Sequence, residues 1–251
     1  MGIRRGPNIV TDGLVFAVDA ANPSSYVSGS GVWKDQTINQ NNGTLTNGPT
    51  FDSGNGGSIA FDGTNDEIIG TNSTLLTFGD GSTDRPFSAF AWINIDSTSS
   101  SNPIVGKYRS YAPFRGEYFL TITTGGAVVI QLLDGAANTR CRQNSDNALS
   151  TGQWYNVGFT YNANGTDEGL VQYVNGNIFP STSYGQDNAY VAMNRAGDPS
   201  ELSIGVALDE GNTFYQSNFD GKISNVQIYA KELSASEIAQ NYNALKGRFG
   251  L

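Results

Sequence analysis

Histidine is absent from the 251 residues. Its absence removes every His-based triad, every His-ligated zinc and every imidazole general base. Cysteine occurs once, at Cys141, so no intrachain disulfide and no Cys-x-x-Cys metal site can form. That thiol reads as buried and inert, and only Arg140 and Arg142 stand beside it as a cue for reactivity. Charge is scarce, at 15% of residues, and basic charge scarcest: 14 Lys and Arg face 23 Asp and Glu, a net −9. Phosphate backbones and anionic membranes are bound by Lys and Arg that displace counterions. Neither nucleic acid nor membrane is therefore expected as a partner, and the excess acid reads as a solubility device. Long apolar runs are missing as well. The stretch 14–18 is five residues long, against about 20 for a membrane-spanning helix. The opening Met-Gly-Ile-Arg-Arg-Gly-Pro has a basic pair but no apolar stretch behind it, so no signal peptide is read. The expectation is a chain finished in the cytoplasm of the cell that makes it.

What the chain does have is turn chemistry. Gly (31), Asn (26), Ser (24) and Thr (20) together make 40% of it, too much for a helical bundle. Asn-Gly occurs at 42, 47, 55, 164 and 175, and Asp-Gly at 12, 62, 80, 134 and 220. These dipeptides allow φ > 0 and chain reversal. Between them lie short β-prone runs, clearest at 13–19, 58–61, 87–95, 117–123, 127–132, 154–161, 170–174, 202–206 and 222–229. Nothing alternates with helices, so the pattern predicts an all-β antiparallel sandwich or barrel in one domain spanning 1–251. In 154–161 the odd positions Tyr155, Val157, Phe159 and Tyr161 are large and apolar, which gives that strand one core face. The run 170–179 reads as a hairpin turning at Asn175-Gly176. By contrast, 87–95 carries bulk on both faces, with Phe87 and Ile93 on one and Phe90 and Trp92 on the other. Two readings fit: a central strand covered on both sides, or a strand whose second face is a binding surface. Only 234–246 looks helical. Ser234 and Glu237 form a capping box, Ile238, Tyr242 and Leu245 recur at helical spacing, and Gly247 suits the stop. Residues 1–10 read as an N-terminal arm.

Catalytic patterns are sparse. Glycosidases need two carboxylates flanking one bond, but the seven glutamates are isolated and no strand carries an alternating carboxylate run. A serine nucleophile would lack its histidine base, and no phosphate-cradling glycine loop opens a helix. The stretch Asp62-Gly-Thr-Asn-Asp66 begins like an EF-hand but continues with Glu67 where glycine is required. It reads either as a β-turn whose Asp side chains bond their own backbone, or as a rim calcium site using Asp62 and Asp66. The strongest partner signal is aromatic. Tyr108, Tyr111, Phe114 and Tyr118 crowd into 107–118 beside Arg109 and Arg115, and Tyr184 and Tyr190 flank a polar loop. Such groups suit sugar stacking and hydroxyl recognition, and they equally suit a protein interface.

With these strands in order, a family resemblance emerges. Ser58-Ile-Ala-Phe-Asp-Gly-Thr-Asn-Asp66, Phe87-Ser-Ala-Phe-Ala-Trp-Ile, Ile104-Val-Gly-Lys107, Gln153-Trp-Tyr-Asn-Val-Gly-Phe-Thr-Tyr161, Val171-Gln-Tyr-Val-Asn-Gly176, Phe219-Asp-Gly-Lys-Ile-Ser-Asn-Val-Gln-Ile-Tyr229 and Leu233-Ser-Ala-Ser-Glu-Ile238 follow one another. The series resembles the laminin-G-like jelly rolls of the concanavalin A-like lectin/glucanase superfamily. The resemblance implies a two-sheet jelly-roll β-sandwich with a short C-terminal helix, one structural calcium at a loop rim, and loops that bind glycans or proteins. The two ends, Arg5-Gly-Pro-Asn-Ile-Val-Thr-Asp-Gly-Leu-Val-Phe-Ala-Val-Asp-Ala-Ala-Asn-Pro-Ser-Ser-Tyr26 and Asn243-Ala-Leu-Lys-Gly-Arg-Phe-Gly-Leu251, resemble structural proteins of large tailed marine phages. That likeness implies a non-enzymatic virion surface protein: a capsid decoration, fibre or tail adhesin. Its partners would be other virion proteins and host-surface polysaccharide, and it could oligomerise. Two alternatives stay open on the same fold, a glycoside hydrolase or polysaccharide lyase and a cellular lectin-like adhesion module.

Overall fold

A computed structural model describes residues 7–109, 115–135, 138–183, 189–193, 200–208 and 217–251. Two antiparallel sheets face each other across one core. The eight-stranded sheet runs in the order Asn177–Ile178, Leu170–Val174, Trp154–Tyr161, Phe87–Ile95, Asp220–Tyr229, Ser58–Asp62 and Thr50–Asp52. Its eighth strand, Leu14–Asp19, pairs with the far half of Asp220–Tyr229. The nine-stranded sheet runs Ser181–Ser183, Thr139–Ala148, Ala127–Asp134, Arg115–Ile122, Asn102–Arg109, Ser203–Ile204, Glu67–Ile69, Gly43–Thr46 and Val32–Trp33. A small hairpin, Val206–Ala207 with Ser217–Asn218, stands beside it.

Period-2 alternation explains who faces the core. Val157, Phe159 and Tyr161 point in, and between them Gly158 leaves room for a neighbour: a Cβ there would lie 2.2 Å from Cδ1 of Phe90. The Asn175-Gly176 hairpin forms with φ of 53° and 76°, as a two-residue loop of this chemistry requires. For 87–95 the first reading holds. Phe87, Ala89, Ala91, Ile93 and Ile95 enter the main core, while Phe90 joins a second cluster with Tyr173, Tyr229, Leu233 and Ile238. Trp92 is capped by the C-terminal segment, stacking on Tyr242 at 5.6 Å and on Phe249 at 4.1 Å. The second face of this strand is therefore packing surface.

The helix spans Ala235–Leu245 behind its Ser234/Glu237 capping box. Its stop agrees with the expectation, with Lys246 as the C-cap just before Gly247. Beyond the stop the chain winds on through a 3-10 turn, Lys246–Arg248, and the glycine with positive φ is Gly250, not Gly247. Tertiary anchors account for this. Arg248 reaches both carboxylate oxygens of Asp19 at 3.0 Å and the Ser224 hydroxyl at 2.8 Å, which carries Phe249 onto Trp92. The arm is pinned to the same assembly. Val10 N–H donates to Asn241 Oδ1 and the Tyr229 hydroxyl donates to Val10 O. Cys141 lies in the core, and burial pushes its thiol up. Among the described residues no helix is long and apolar enough to cross a membrane.

Candidate functional site

The outer face of the nine-stranded sheet carries the best-formed site. In Arg115–Ile122 the side chains of Tyr118, Leu120 and Ile122 turn inward, so Phe119 and Thr121 turn outward. Register then aligns Phe119 with Gln131 and Gln131 with Arg142, and the next outward row is Thr121, Val129 and Asn144. These rows, in which Phe119, Thr121, Val129 and Gln131 are buried and Arg142 and Asn144 are half-buried, underlie a groove of about 270 Å³, closed along one side by Tyr108 and Ser101 and by Ala207 and Ser217 of the small hairpin. Tyr108 stacks on Phe119 with centroids 4.3 Å apart and planes 13° from parallel. Neutral hydrogen-bonding groups dominate the rest: Ser101 and Thr121 share a 3.1 Å contact, and Thr123 bonds the carbonyl of Ala127. Arg142 donates from Nε to Asn144 Oδ1 at 2.8 Å, which fixes the guanidinium along the outer face. Among the described lining residues no carboxylate appears.

Of the aromatic cluster expected in 107–118, one member lines this groove, Tyr108. Tyr118 must be corrected. It is wholly buried between the sheets, tilted against Phe87 at 5.0 Å and Phe78 at 5.7 Å, and cannot serve a ligand surface. The strand's alternation is the reason, since sending Leu120 and Ile122 to the core sends Tyr118 with them. Arg109 and Arg115 oppose each other in register at the hairpin end. Tyr111 and Phe114, like Tyr184, lie outside the described residues. Tyr190 is a buried structural residue, donating its hydroxyl to Asp84. Phe119, Gln131 and Arg142 were not singled out from the sequence, although Thr121 and Thr123 alternating with Leu120 and Ile122 already marked Phe119 as an outward position.

Asp62 and Asp66 sit at a separate concavity of about 320 Å³ with Asn47, Gly48, Thr50 and Phe61. Their carboxylates follow the turn reading: Asp62 Oδ1 accepts from Thr64 N at 2.8 Å, and Asp66 Oδ2 accepts from Asp62 N at 3.0 Å. Burial holds the Asp66 carboxyl above its usual range. Among the described residues no three His, Cys, Asp or Glu side chains converge to hold a metal. One oxygen of each carboxylate, Asp62 Oδ2 and Asp66 Oδ1, accepts no hydrogen bond there, so a calcium ion could be held only with loop carbonyls completing the shell.

A family profile of the laminin-G type, described as the concanavalin A-like lectin/glucanases superfamily, matches residues 62–239, more than two thirds of the chain. The chain belongs to this superfamily. Solved structures with the same sandwich include Trypanosoma rangeli sialidase in complex with sialic acid, with a TM-score of 0.64 and 18% identity over 97% of this chain and 35% of the sialidase. Another is the botulinum neurotoxin serotype D binding domain, with a TM-score of 0.63 and 18% identity over 92% of this chain and 51% of that one. The lectin-like chain thus spans between a third and a half of these neighbours' lengths, and identities this low speak for the fold alone. A comparison with curated protein sequences gave no match.

Proposed function

We propose that this protein is a non-enzymatic glycan-binding surface protein whose ligand lies in the outer-face groove of the nine-stranded sheet. One observation carries the reading: an aromatic pair and a row of hydroxyl and amide groups share one groove, without a carboxylate among its described lining residues. Stacking and hydroxyl recognition need the first two features. Glycoside hydrolysis needs a pair of carboxylates about 5–9.5 Å apart, which that lining does not supply. The likeness of the chain's ends to phage structural proteins supports display on a virion, as a capsid decoration, fibre or tail adhesin touching host polysaccharide. Two measurements test this. Immobilised bacterial polysaccharides should retain the protein without release of reducing ends, and Tyr108→Ala, at the partly exposed member of the aromatic pair, should weaken retention about tenfold while leaving the far-UV spectrum unchanged. Mass spectrometry of purified particles from the source should find the chain; its absence from particles would remove the virion assignment and leave the glycan reading to the binding assay.

Calcium belongs to this proposal as a structural ion at Asp62 and Asp66, away from the groove. An ion that binds only the native state raises the melting temperature by mass action. Millimolar calcium should therefore raise the melting temperature over that in chelator, and Asp66→Asn should abolish the difference. Equal melting curves in calcium and chelator would dismiss the ion.

A further inference from the structure

We propose a second sugar site in this protein, a pocket at the edge of the sandwich that takes a neutral hexose. The inference extends the glycan reading above, but it uses none of the residues of the outer-face groove. Thr50–Asp52 ends the order of one sheet, and Val32–Trp33 ends the order of the other. Beside these two edge strands, residues 28–31 and 48–51, with Tyr26 and Leu45, enclose a pocket of about 450 Å³. That volume falls within the about 300–1,000 Å³ of small-molecule sites. Its platform is Phe51, a half-buried ring that packs partly on the core and partly lines the pocket. Behind it lies the buried Tyr26, stacked on it with centroids 5.6 Å apart and planes 27° from parallel. The Tyr26 hydroxyl donates to the Ser30 carbonyl at 3.0 Å, and Ser30 Oγ donates to the Val32 carbonyl at 2.9 Å. Platform and loop are thus fixed before a ligand arrives, which lowers the entropic cost of binding.

Polar groups line the same pocket. Ser28 and Thr50 are exposed there, and among the described residues neither hydroxyl has a hydrogen-bond partner. Gly31 adds a second observation. Its φ is outside the left-handed region, and a Cβ built on it would meet nothing within 4 Å. Neither backbone conformation nor packing demands glycine at this position, and its effect is to leave bare backbone in the pocket wall. An apolar side chain filling this space would strip water from two hydroxyls and that backbone and return no hydrogen bond. A hexose supplies hydroxyls to each of these groups while it lays a C–H face on Phe51. Along the nine-stranded sheet, Gly43–Thr46 stands four strands from Arg115–Ile122, about 19 Å at about 4.8 Å per step. The pocket is therefore separate from the groove, and one long polysaccharide can engage both.

Amide chemical shifts of the full chain, titrated with cellotetraose, mannotetraose and galactotetraose, test the inference by position. At least one of these sugars should shift the amides of Gly29, Gly31 and Thr50 saturably. Gly31→Leu, which projects into open space, should weaken that binding about tenfold or more at an unchanged melting temperature. Ser28→Ala/Thr50→Val removes two hydroxyls that the fold does not use, and should weaken it about tenfold. Saturable shifts confined to Thr121, Gln131 and Arg142 would overturn this site and leave the glycan reading standing. Shifts at Gly31 that persist at full affinity in Gly31→Leu would overturn the pocket assignment. N-acetylphenylalanine amide is the control for an apolar socket: if it alone moves these amides and no sugar does, the sugar assignment is overturned. If no probe moves either set of amides, the site falls, and the polysaccharide retention assay decides separately whether the glycan reading falls with it.

Discussion

Lys107→Met should cost the fold about 3–5 kcal/mol. Lys107 and Glu117 are wholly buried, with Nζ 3.2 Å from Oε1. Around the pair, the segment before the strand Phe87–Ile95 supplies partners to both charges. Lys107 Nζ donates to Thr77 Oγ1 and to the carbonyl of Ser73, while Glu117 accepts from the Thr77 hydroxyl and from the backbone N–H of Phe78. The ion pair thereby fastens that segment to the sheet, and Phe78 carries the fastening into the core by stacking on Phe87 at 4.3 Å. Removing the cation takes the Lys107 charge away from a carboxylate that stays wholly buried, which is the costly half of breaking a buried pair. The double variant Lys107→Met/Glu117→Leu removes both charges and should recover most of the loss. Equilibrium denaturation of the four proteins gives the coupling directly. Additive single-variant costs would show that the two groups act independently. Because Tyr108 follows Lys107 in sequence, the single variant should also blunt glycan retention, and the double variant should restore it.

How far the sequence revealed this arrangement depends on how local each signal is. The core face of Trp154–Tyr161, the Asn175-Gly176 turn and the Ser234/Glu237 cap were all legible, because each is settled by residues within a few positions of one another. The two-sided bulk of Phe87–Ile95 was legible as a choice, and it took Tyr242 and Phe249 to show which cover was used. The groove was legible only at Tyr108. It assembles Phe119, Gln131 and Arg142 from three strands whose register no spacing encodes. Tyr118 and Phe119 are adjacent aromatics of similar propensity, and a one-residue difference in facing separates core from site. The helix stop before Gly247 was legible, but the 3-10 turn that follows it was not, for a related reason. A local preference for glycine at a C-cap yielded to Arg248 reaching Asp19, a contact made across 229 positions of chain.

The largest expected loss outside the ion pair is at Asp84, and it depends on pH. Asp84 is buried where three segments meet. Its Oδ2 accepts from the hydroxyls of Tyr161 and Tyr190, both at 2.8 Å, and its Oδ1 accepts from Met193 N–H at 2.7 Å. Tyr161 in turn accepts from Gly165 N–H, so its own proton is committed to the carboxylate. Asp84→Ala would strand three donors in a buried site at about 1–3 kcal/mol each, so a loss of about 3–9 kcal/mol is expected. Asp84→Asn should cost less: its carbonyl can still serve Met193, and its amide can donate to Tyr190. The pH dependence separates the charge from the hydrogen bonds. Burial pushes the Asp84 carboxyl up, with the nearby Asp80 adding to the rise and the three donors opposing it. Burial also pushes both tyrosine hydroxyls up, so neither titrates below neutrality. An acid whose native value is raised binds its proton more tightly folded than unfolded. Its contribution to stability therefore grows as pH falls through the native value toward the ordinary 3.8, and is lost as pH rises. Asp66 and Asp220 are raised in the same sense, but they are present in wild type and variant alike and cancel in the difference. The stability advantage of wild type over Asp84→Asn should therefore widen between neutral pH and about pH 4. Urea denaturation of both proteins across that range measures it. An advantage that stays flat would mean that Asp84 titrates alike in the folded and unfolded chain, and that its hydrogen bonds alone account for the cost.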